Sequence, residues 1–377
     1  MIFVIMQRHW KEYIQNSGVL TMKNIMFVCL GLNNGGVARV ISVLTEAFDK
    51  SKYKLFVLSL SKDEETYKVS PDTTLIYPSK NSLKPGLKQI NRIMEIKNVI
   101  KKYDIDVVLS FSHYNNMYSV LASRGLKCKV IGSERNDPAQ LDSRKLFNRI
   151  RMKLYRKLDA LVCQTDDAKA YFPEDIQKKS VVILNPITDK LPEVYRGERK
   201  HRVVSFSRLE PQKNIPMLLE AFSIFHDTHT DYILDIYGNG SQKEELIDTV
   251  KARGWDGFIN FQSYTTDIHN AIRDAYMFAL SSDYEGLSNS MIEAMGCGLP
   301  TIVTDCPCGG ARMVIEDGVN GILVPVGDVE ALAREMSRVA DDKALAEKLI
   351  SNGVKIRKTL DKRVIASQWE KVINQNL

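Results

Sequence analysis

No stretch of eighteen consecutive apolar residues occurs anywhere in the 377, so no membrane-crossing helix is expected. Cysteine is sparse: six residues, with no CxxC pair and only Cys306-Pro307-Cys308 as a CxC. Cys29, Cys128 and Cys163 lie in or beside apolar, strand-like segments. They read as buried thiols, and nothing in their spacing demands an oxidising compartment. Hydrophobic residues at 44% and charged residues at 26% exclude a disordered tail, a collagen-like repeat and a membrane-spanning bundle. No signal peptide is expected either. Met1–Met6 is apolar but too short for a signal core, and Gln7-Arg8-His9-Trp10 follows with no small-residue cleavage site. Residues 1–21 are expected to be an N-terminal extension outside the fold. A short membrane-contacting stretch is the alternative reading for them.

The length fits two domains. Charge is unevenly divided between them. Residues 1–196 hold 32 Lys/Arg against 20 Asp/Glu, net +12, and residues 197–377 hold 20 against 26, net −6. A basic half beside an acidic half points to an anionic surface or substrate for the first. Strand, loop and helix alternate along both halves. In the first, strands are expected at 24–30, 55–60, 106–111, 130–133, 160–164 and 181–184, with helices over 37–48 and 87–103. Residues 185–202 carry prolines, a glycine and many charges, and read as a linker. Strands then restart at 203–207, 232–237, 258–262, 277–281, 301–304 and 321–324, with helices starting near Asn214, Ser241, Thr266, Ser288 and Asp328. The fold class is therefore α/β, with two doubly wound parallel sheets.

Ligands of such sheets sit beyond the carboxyl ends of the strands. Asp104-Ile105-Asp106 precedes its strand, so this metal-like DxD reads as a helix-to-strand turn. The loop Gly31–Gly36 follows a strand and opens a helix, so the amides of Gly35 and Gly36 can approach a phosphate. A tight βα turn would use the same glycines, and the spacing is not the GxGxxG of an NAD site. Polar clusters follow three further strands: Ser112-His113-Tyr114-Asn115, Glu134-Arg135-Asn136-Asp137 and Gln164-Thr165. His113 is the best placed of the six histidines. Ser143–Leu158 carries seven Lys/Arg and no acid, a basic amphipathic helix suited to an anionic membrane or simply to a solvated surface. No nucleic-acid motif is present.

In the second half, Arg208 follows a strand and Lys213 opens a helix, two cations able to clamp a diphosphate. Gly238-Asn239-Gly240 follows the next strand. Glu285 lies in a later loop and Glu293 on the helix after it, while the amides of Leu287, Ser288, Asn289 and Ser290 sit at that helix start.

The Glu285–Glu293 pair, SRLEPQKN at 207–214, Gly238-Asn239-Gly240 and GLPTIVTDCPCGG at 298–310 together resemble the family-four retaining glycosyltransferases. The resemblance implies the GT-B architecture, two Rossmann-like domains facing a cleft. It implies an acceptor-side domain over 22–186, a linker over 187–202, a donor domain over 203–358, and a helix over 359–377 packing back on the first domain. Arg208 and Lys213 would bind the donor diphosphate, with Gly35 and Gly36 approaching it from the other side. Glu293 would hold the ribose, Glu285 would contact the sugar near its reacting carbon, and His113 would lie near that sugar. Glu134, Arg135 and Asn115 would face the acceptor. The stretch SERNDP at 133–138 is similar to that of bacterial enzymes building capsule, O-antigen or exopolysaccharide. The expected reaction moves a hexose or N-acetylhexosamine from a UDP sugar to a lipid-linked saccharide, with retention, by front-face attack, with no metal and no other cofactor. An anionic membrane is the expected partner of the basic domain, nucleic acid is not, and the expected location is the inner face of the cell membrane. A nucleotide-sugar epimerase, a phosphorylase, an NAD oxidoreductase and a non-catalytic sugar-nucleotide binder are the rival readings.

Overall fold

The computed structural model describes residues 22–33, 35–62, 66–78, 85–263, 265 and 267–377. The expected N-terminal extension, Asn34 of the glycine loop and the helix start at Thr266 lie outside the described residues.

The first sheet contains β1 (Lys23–Cys29), β2 (Tyr53–Ser59), β3 (Thr74–Ile76), β4 (Val107–Phe111), β5 (Lys129–Ser133), β6 (Ala160–Cys163) and β7 (Ser180–Val182), in the order β3-β2-β1-β4-β5-β6-β7. The second contains β8 (Lys200–Phe206), β9 (Ile233–Tyr237), β10 (Ile259–Gln262), β11 (Ala275–Leu280), β12 (Thr301–Thr304) and β13 (Ile322–Val324), in the order β10-β9-β8-β11-β12-β13. Every pairing is parallel. These are the two Rossmann-like domains expected. Parallel strands covered on both faces are apolar throughout, and the run Ile25 to Cys29 is entirely buried.

Two departures from the pattern have physical causes. β3 has three half-buried residues at the sheet edge, too short to give a periodic signal. β8 begins at Lys200, not at Val203. Its first turn of chain is charged because Arg202 reaches Asp235 at 3.0 Å and Asp274 at 3.1 Å, and Lys200 reaches Asp274 at 2.8 Å. The Asp104-Ile105-Asp106 turn is as expected. Asp104 takes a left-handed backbone (φ 49°), and Asp106 accepts from the amide of Asn24 at 2.8 Å. Both aspartates serve the helix-to-strand junction at the amino end of the sheet.

The helix Lys362–Asn376 packs on the first domain, not the second. Trp369 is fully buried with its ring 5.6 Å from Phe111 of β4. Tyr53 donates to Asn374 at 3.0 Å, and Glu370 accepts from the amide of Asp49 at 3.0 Å. The chain thus crosses between the domains twice. Near these crossings the amide of Ile187 donates to Leu360, and Lys362 bridges Glu46 and Asp189.

Trp369→Ala is expected to cost about 3–5 kcal/mol of unfolding free energy, the range for emptying a large aromatic site. Urea unfolding followed by circular dichroism checks this. A change below about 1 kcal/mol would mean that the helix adds little to the first domain.

Candidate functional site

In each sheet the strand order reverses once, and the crevice opens at that point. The reversal lies between β1 and β4 in the first sheet and between β8 and β11 in the second. The loops leaving those four strands carry Gly35-Gly36, His113, Arg208-Lys213 and Glu285. The candidate residues therefore converge because of topology.

Lys213 ends a short turn, Pro211–Lys213, and is buried. The next residue, Asn214, is left-handed (φ 43°), caps the helix Ile215–His226, and donates to Asp283 at 2.7 Å. Ser281 at the end of β11 donates to the carbonyls of Lys213 and Asn214. The β8 and β11 loops are thereby fixed to each other, and the Lys213 ammonium meets Glu285 Oε1. Ser282 donates to the same oxygen at 2.9 Å, and Gln212 Nε2 to Oε2 at 3.2 Å. Both carboxylate oxygens of Glu285 are held. Arg208 is different: it is exposed and has no ion-pair partner among the described residues.

Gly238 and Gly240 are explained by loop packing. A Cβ on Gly238 would stand 2.0 Å from the carbonyl of Ser207, and one on Gly240 would stand 2.2 Å from that of Leu209. They let the β9 loop lie against the β8 loop that carries Arg208. Leu287 is buried and Ser288 caps the helix Asn289–Gly296, its hydroxyl also 2.9 Å from that of Ser290. Asn289 reaches across the cleft, donating to the carbonyl of Gly36 at 3.2 Å. Gly35 has open space where a side chain would stand.

Glu293 is 2% exposed. Its Oε1 lies 2.5 Å from Arg39 Nε, and its Oε2 lies 3.0 Å from His269 Nε2. Arg39 belongs to the first domain, one turn into the helix Gly36–Ala47 that follows the glycine loop.

On the first domain the picture is mixed. Ser112 has a positive φ of 81°, an unfavourable backbone for serine of the kind found at functional sites. It turns the chain so that His113 starts a helix. His113 packs against Tyr114 and Phe147, with Nε2 buried and unpartnered. Burial, reinforced by the charges of Arg151 and Arg144, lowers its pKa to about 4, so its imidazole is neutral near pH 7. Arg135 is half-buried at the domain boundary. It donates to Asn185 Oδ1, and burial lowers its pKa to about 9. Among the described residues no carboxylate pairs with it.

Glu134 and Asn115 do not join this group. Glu134 is 3% exposed, accepts from Tyr155, and is pushed up by burial despite Arg151. Asn115 is equally buried and donates to the carbonyl of Phe111 at 2.8 Å. Both side chains hold the first domain together. Neither is bonded to a group across the cleft.

Several cleft residues carried no motif. Arg39 and His269 lie on the helices Gly36–Ala47 and Ile268–Ile272, outside any motif. Asn185, in the linker, joins the domains by donating to Leu287 O at 2.9 Å and Asn289 Oδ1 at 2.7 Å. Gln164, noted only as following a strand, donates to Asn185 at 2.8 Å and lies against Gly286. An arginine interrupting the apolar face one turn after Gly36 was the available signal for Arg39.

Fold and site together define an enzyme of the two-domain glycosyltransferase class. Residues 34–191 match the family described as Glycosyltransferase Family 4, and residues 188–356 match Glycosyl transferases group 1. Each half of the chain thus matches a glycosyltransferase family model, and the chain is a glycosyltransferase. It is 26% identical over 359 residues to the Campylobacter jejuni GalNAc-alpha-(1->4)-GalNAc-alpha-(1->3)-diNAcBac-PP-undecaprenol alpha-1,4-N-acetyl-D-galactosaminyltransferase, covering 93% of this chain and 98% of that one. It is 23% identical over 356 residues to the amylovoran biosynthesis glycosyltransferase AmsD of Erwinia amylovora, covering 91% and 97%. Among solved structures, Anabaena HepE in complex with UDP and glucose superposes with a TM-score of 0.79 at 17% identity, covering 94% of this chain and 99% of that one. TarM superposes with a TM-score of 0.78 at 15% identity, covering 94% and 99%.

The depressed pKa of His113 has a sign. The unfolded chain binds a proton near pH 6.5 that the folded chain refuses until about pH 4. This contribution therefore falls away as the pH drops through that window. The loss of unfolding midpoint between pH 7 and pH 5 should be smaller in His113→Asn than in the parent. Equal losses in urea titrations at both pH values would show that His113 is not the group responsible.

Proposed function

We propose that the enzyme transfers a hexose or N-acetylhexosamine from a UDP sugar to a lipid-linked saccharide in bacterial surface polysaccharide synthesis, with retention and without a metal. The observation that carries this is the juxtaposition at the two switch points. Arg208, the Lys213–Glu285 pair and Glu293 occupy one wall, and Gly35-Gly36 and Arg135 occupy the other. The name of the Campylobacter relative supports the acceptor class, that of the Erwinia relative supports polysaccharide synthesis, and the HepE complex supports UDP.

Cleaving the bond from sugar to diphosphate places growing negative charge on the leaving phosphate. Arg208, with no ion-pair partner among the described residues, is exposed where that charge would form, in the same loop as Lys213. Preorganised cations of this kind stabilise a developing anion strongly. Glu293 holds the ribose hydroxyls. Glu285 is an unsuitable covalent nucleophile because Lys213, Ser282 and Gln212 already engage both its oxygens. In the reaction we propose, its carboxylate orients the sugar. The acceptor hydroxyl attacks from the side of the leaving group and gives its proton to the departing phosphate oxygen.

The first domain supports approach to a membrane. No helix among the described residues is long and apolar enough to cross one. On the helix Lys145–Tyr155, Leu146 and Ile150 are exposed together with Lys145, Arg149 and Lys153. The helix Pro85–Lys102 exposes Leu87, Ile90 and Met94. Both helices pack on His113–Ala122. Apolar side chains set among unpaired cations suit the headgroup region of an anionic bilayer, at the inner face of the cell membrane where lipid-linked acceptors would be met.

The deciding assay is transfer from a panel of UDP sugars to polyprenyl-diphosphate-linked saccharides with and without EDTA, with the anomeric configuration read by NMR. Arg208→Ala should reduce turnover by about 10²–10³-fold, as for loss of an oxyanion donor. Glu285→Ala should lower kcat more than UDP affinity. Inhibition by EDTA, or an inverted product, would refute the corresponding part of the proposal. The double change Leu146→Glu and Ile150→Glu should abolish sedimentation with phosphatidylglycerol vesicles while leaving UDP binding intact. Undiminished sedimentation would remove this helix from the membrane contact.

A further inference from the structure

Glu293 is engaged twice over in this structure. Oε1 faces Arg39 Nε at 2.5 Å and Oε2 faces His269 Nε2 at 3.0 Å. Arg39 Nη2 is also 3.1 Å from His269 Nε2, closing a three-membered cluster. The side chains of Arg39 and Glu293 are only 17% and 3% exposed. Among these three, Arg39 alone comes from the first domain. A ribose bound through its two hydroxyls needs both oxygens of the carboxylate as acceptors. The Arg39 guanidinium and a ribose therefore compete for the same acceptor.

The surroundings of Arg39 offer it another place. Its guanidinium carbon lies 5.7 Å from the ring centre of Tyr67, also in the first domain. Displaced from Glu293, it can stay on that aromatic face at little cost. The same edge of the cleft is closed by Asn289 on the carbonyl of Gly36. A further contact between the domains joins Arg312 to Asp167 at 2.8 Å, but it is about half exposed and so contributes little. The Arg39–Glu293 pair, shielded from water, is the strong one. The cavity beside Glu285, lined among others by Ser282, Gly286 and Cys306, measures about 10 Å³. It has room for roughly one water, and its walls all belong to the second domain.

We propose that Arg39 gates the nucleotide site: it holds Oε1 of Glu293 when no nucleotide is bound, and the nucleotide ribose displaces it. This rests on the reading of Glu293 as the ribose-binding carboxylate. Arg39 is then a determinant of nucleotide affinity through competition, and no contact with the reacting atoms is required of it. Only the fraction of molecules with the pair broken is competent to bind, and the observed affinity is reduced by that fraction.

The test uses the full chain, with UDP and GDP titrated calorimetrically and the empty protein measured by small-angle scattering. Arg39→Met should bind its preferred nucleotide about fivefold or more tightly than the parent, the factor by which the competent fraction rises. Its radius of gyration without nucleotide should be larger. Arg39→Lys, which keeps the charge but loses the Nε donor, should fall between the two. Unchanged or weaker nucleotide binding by an Arg39→Met protein with parental circular dichroism would overturn the gate, as would failure of that variant to bind either nucleotide. Glu293→Gln separates the two readings. It should lose at least about tenfold in nucleotide affinity if the carboxylate holds the ribose, whichever residue stands at 39. Parental affinity in Glu293→Gln would refute the ribose reading on its own. Scattering from Arg39→Met, with an unchanged radius counting against the latch, would then judge that contact alone.

Discussion

A parallel strand must be covered on both faces, because its connections run over the sheet as helices. The rest of this molecule follows from that constraint. The faces of both sheets are sealed, and only the loops at the strand ends can be polar and irregular. The two orders β3-β2-β1-β4-β5-β6-β7 and β10-β9-β8-β11-β12-β13 each reverse direction once, and each reversal parts two adjacent loops. Gly35 and His113 flank one gap, Arg208 and Glu285 the other. The candidate site residues are few, and the topology places them opposite one another.

The same constraint explains what could be read from sequence. A strand buried on both faces is a short apolar run, so β1, β4 and β11 were legible within a residue or two. β3 was not, because three half-buried residues at an edge leave no pattern. β8 started earlier than its apolar run because Lys200 and Arg202 are paid for by Asp235 and Asp274 on neighbouring elements, partners that sequence does not connect. Among candidate site residues, position after a strand put Arg208, Lys213 and Glu285 at the carboxyl ends of β8 and β11, where the structure has them. It did not reveal which way a side chain turns. Glu134 and Arg135 are neighbours at the end of β5, yet the first points inward to Tyr155 and the second reaches Asn185 at the domain boundary. Strand alternation makes adjacent residues face opposite ways, and nothing in the local sequence says which of the two meets the crevice.

The charge imbalance between the halves finds several uses in the structure. Arg151 is fully buried, donating to Asn148, Pro138 and Tyr171 beneath the helix that carries it. Arg39 crosses to the acidic domain. Arg135 stands without a carboxylate. Others, on Lys145–Tyr155 and Pro85–Lys102, lie at the surface beside exposed leucine, isoleucine and methionine. The first domain's positive charge is therefore distributed over packing, domain contact and surface.

The helix Lys362–Asn376 belongs spatially to the first domain but is made after the second. Phe111 lies in a strand completed less than a third of the way along the chain, and its contact with Trp369 closes only when nearly all of it has been synthesised. During translation the first domain therefore waits with an uncovered apolar flank around Phe111 and Tyr53 while about 180 residues emerge. Its final folding step is coupled to the completion of its neighbour, so a chain stopped early would expose that flank to chaperones and proteases.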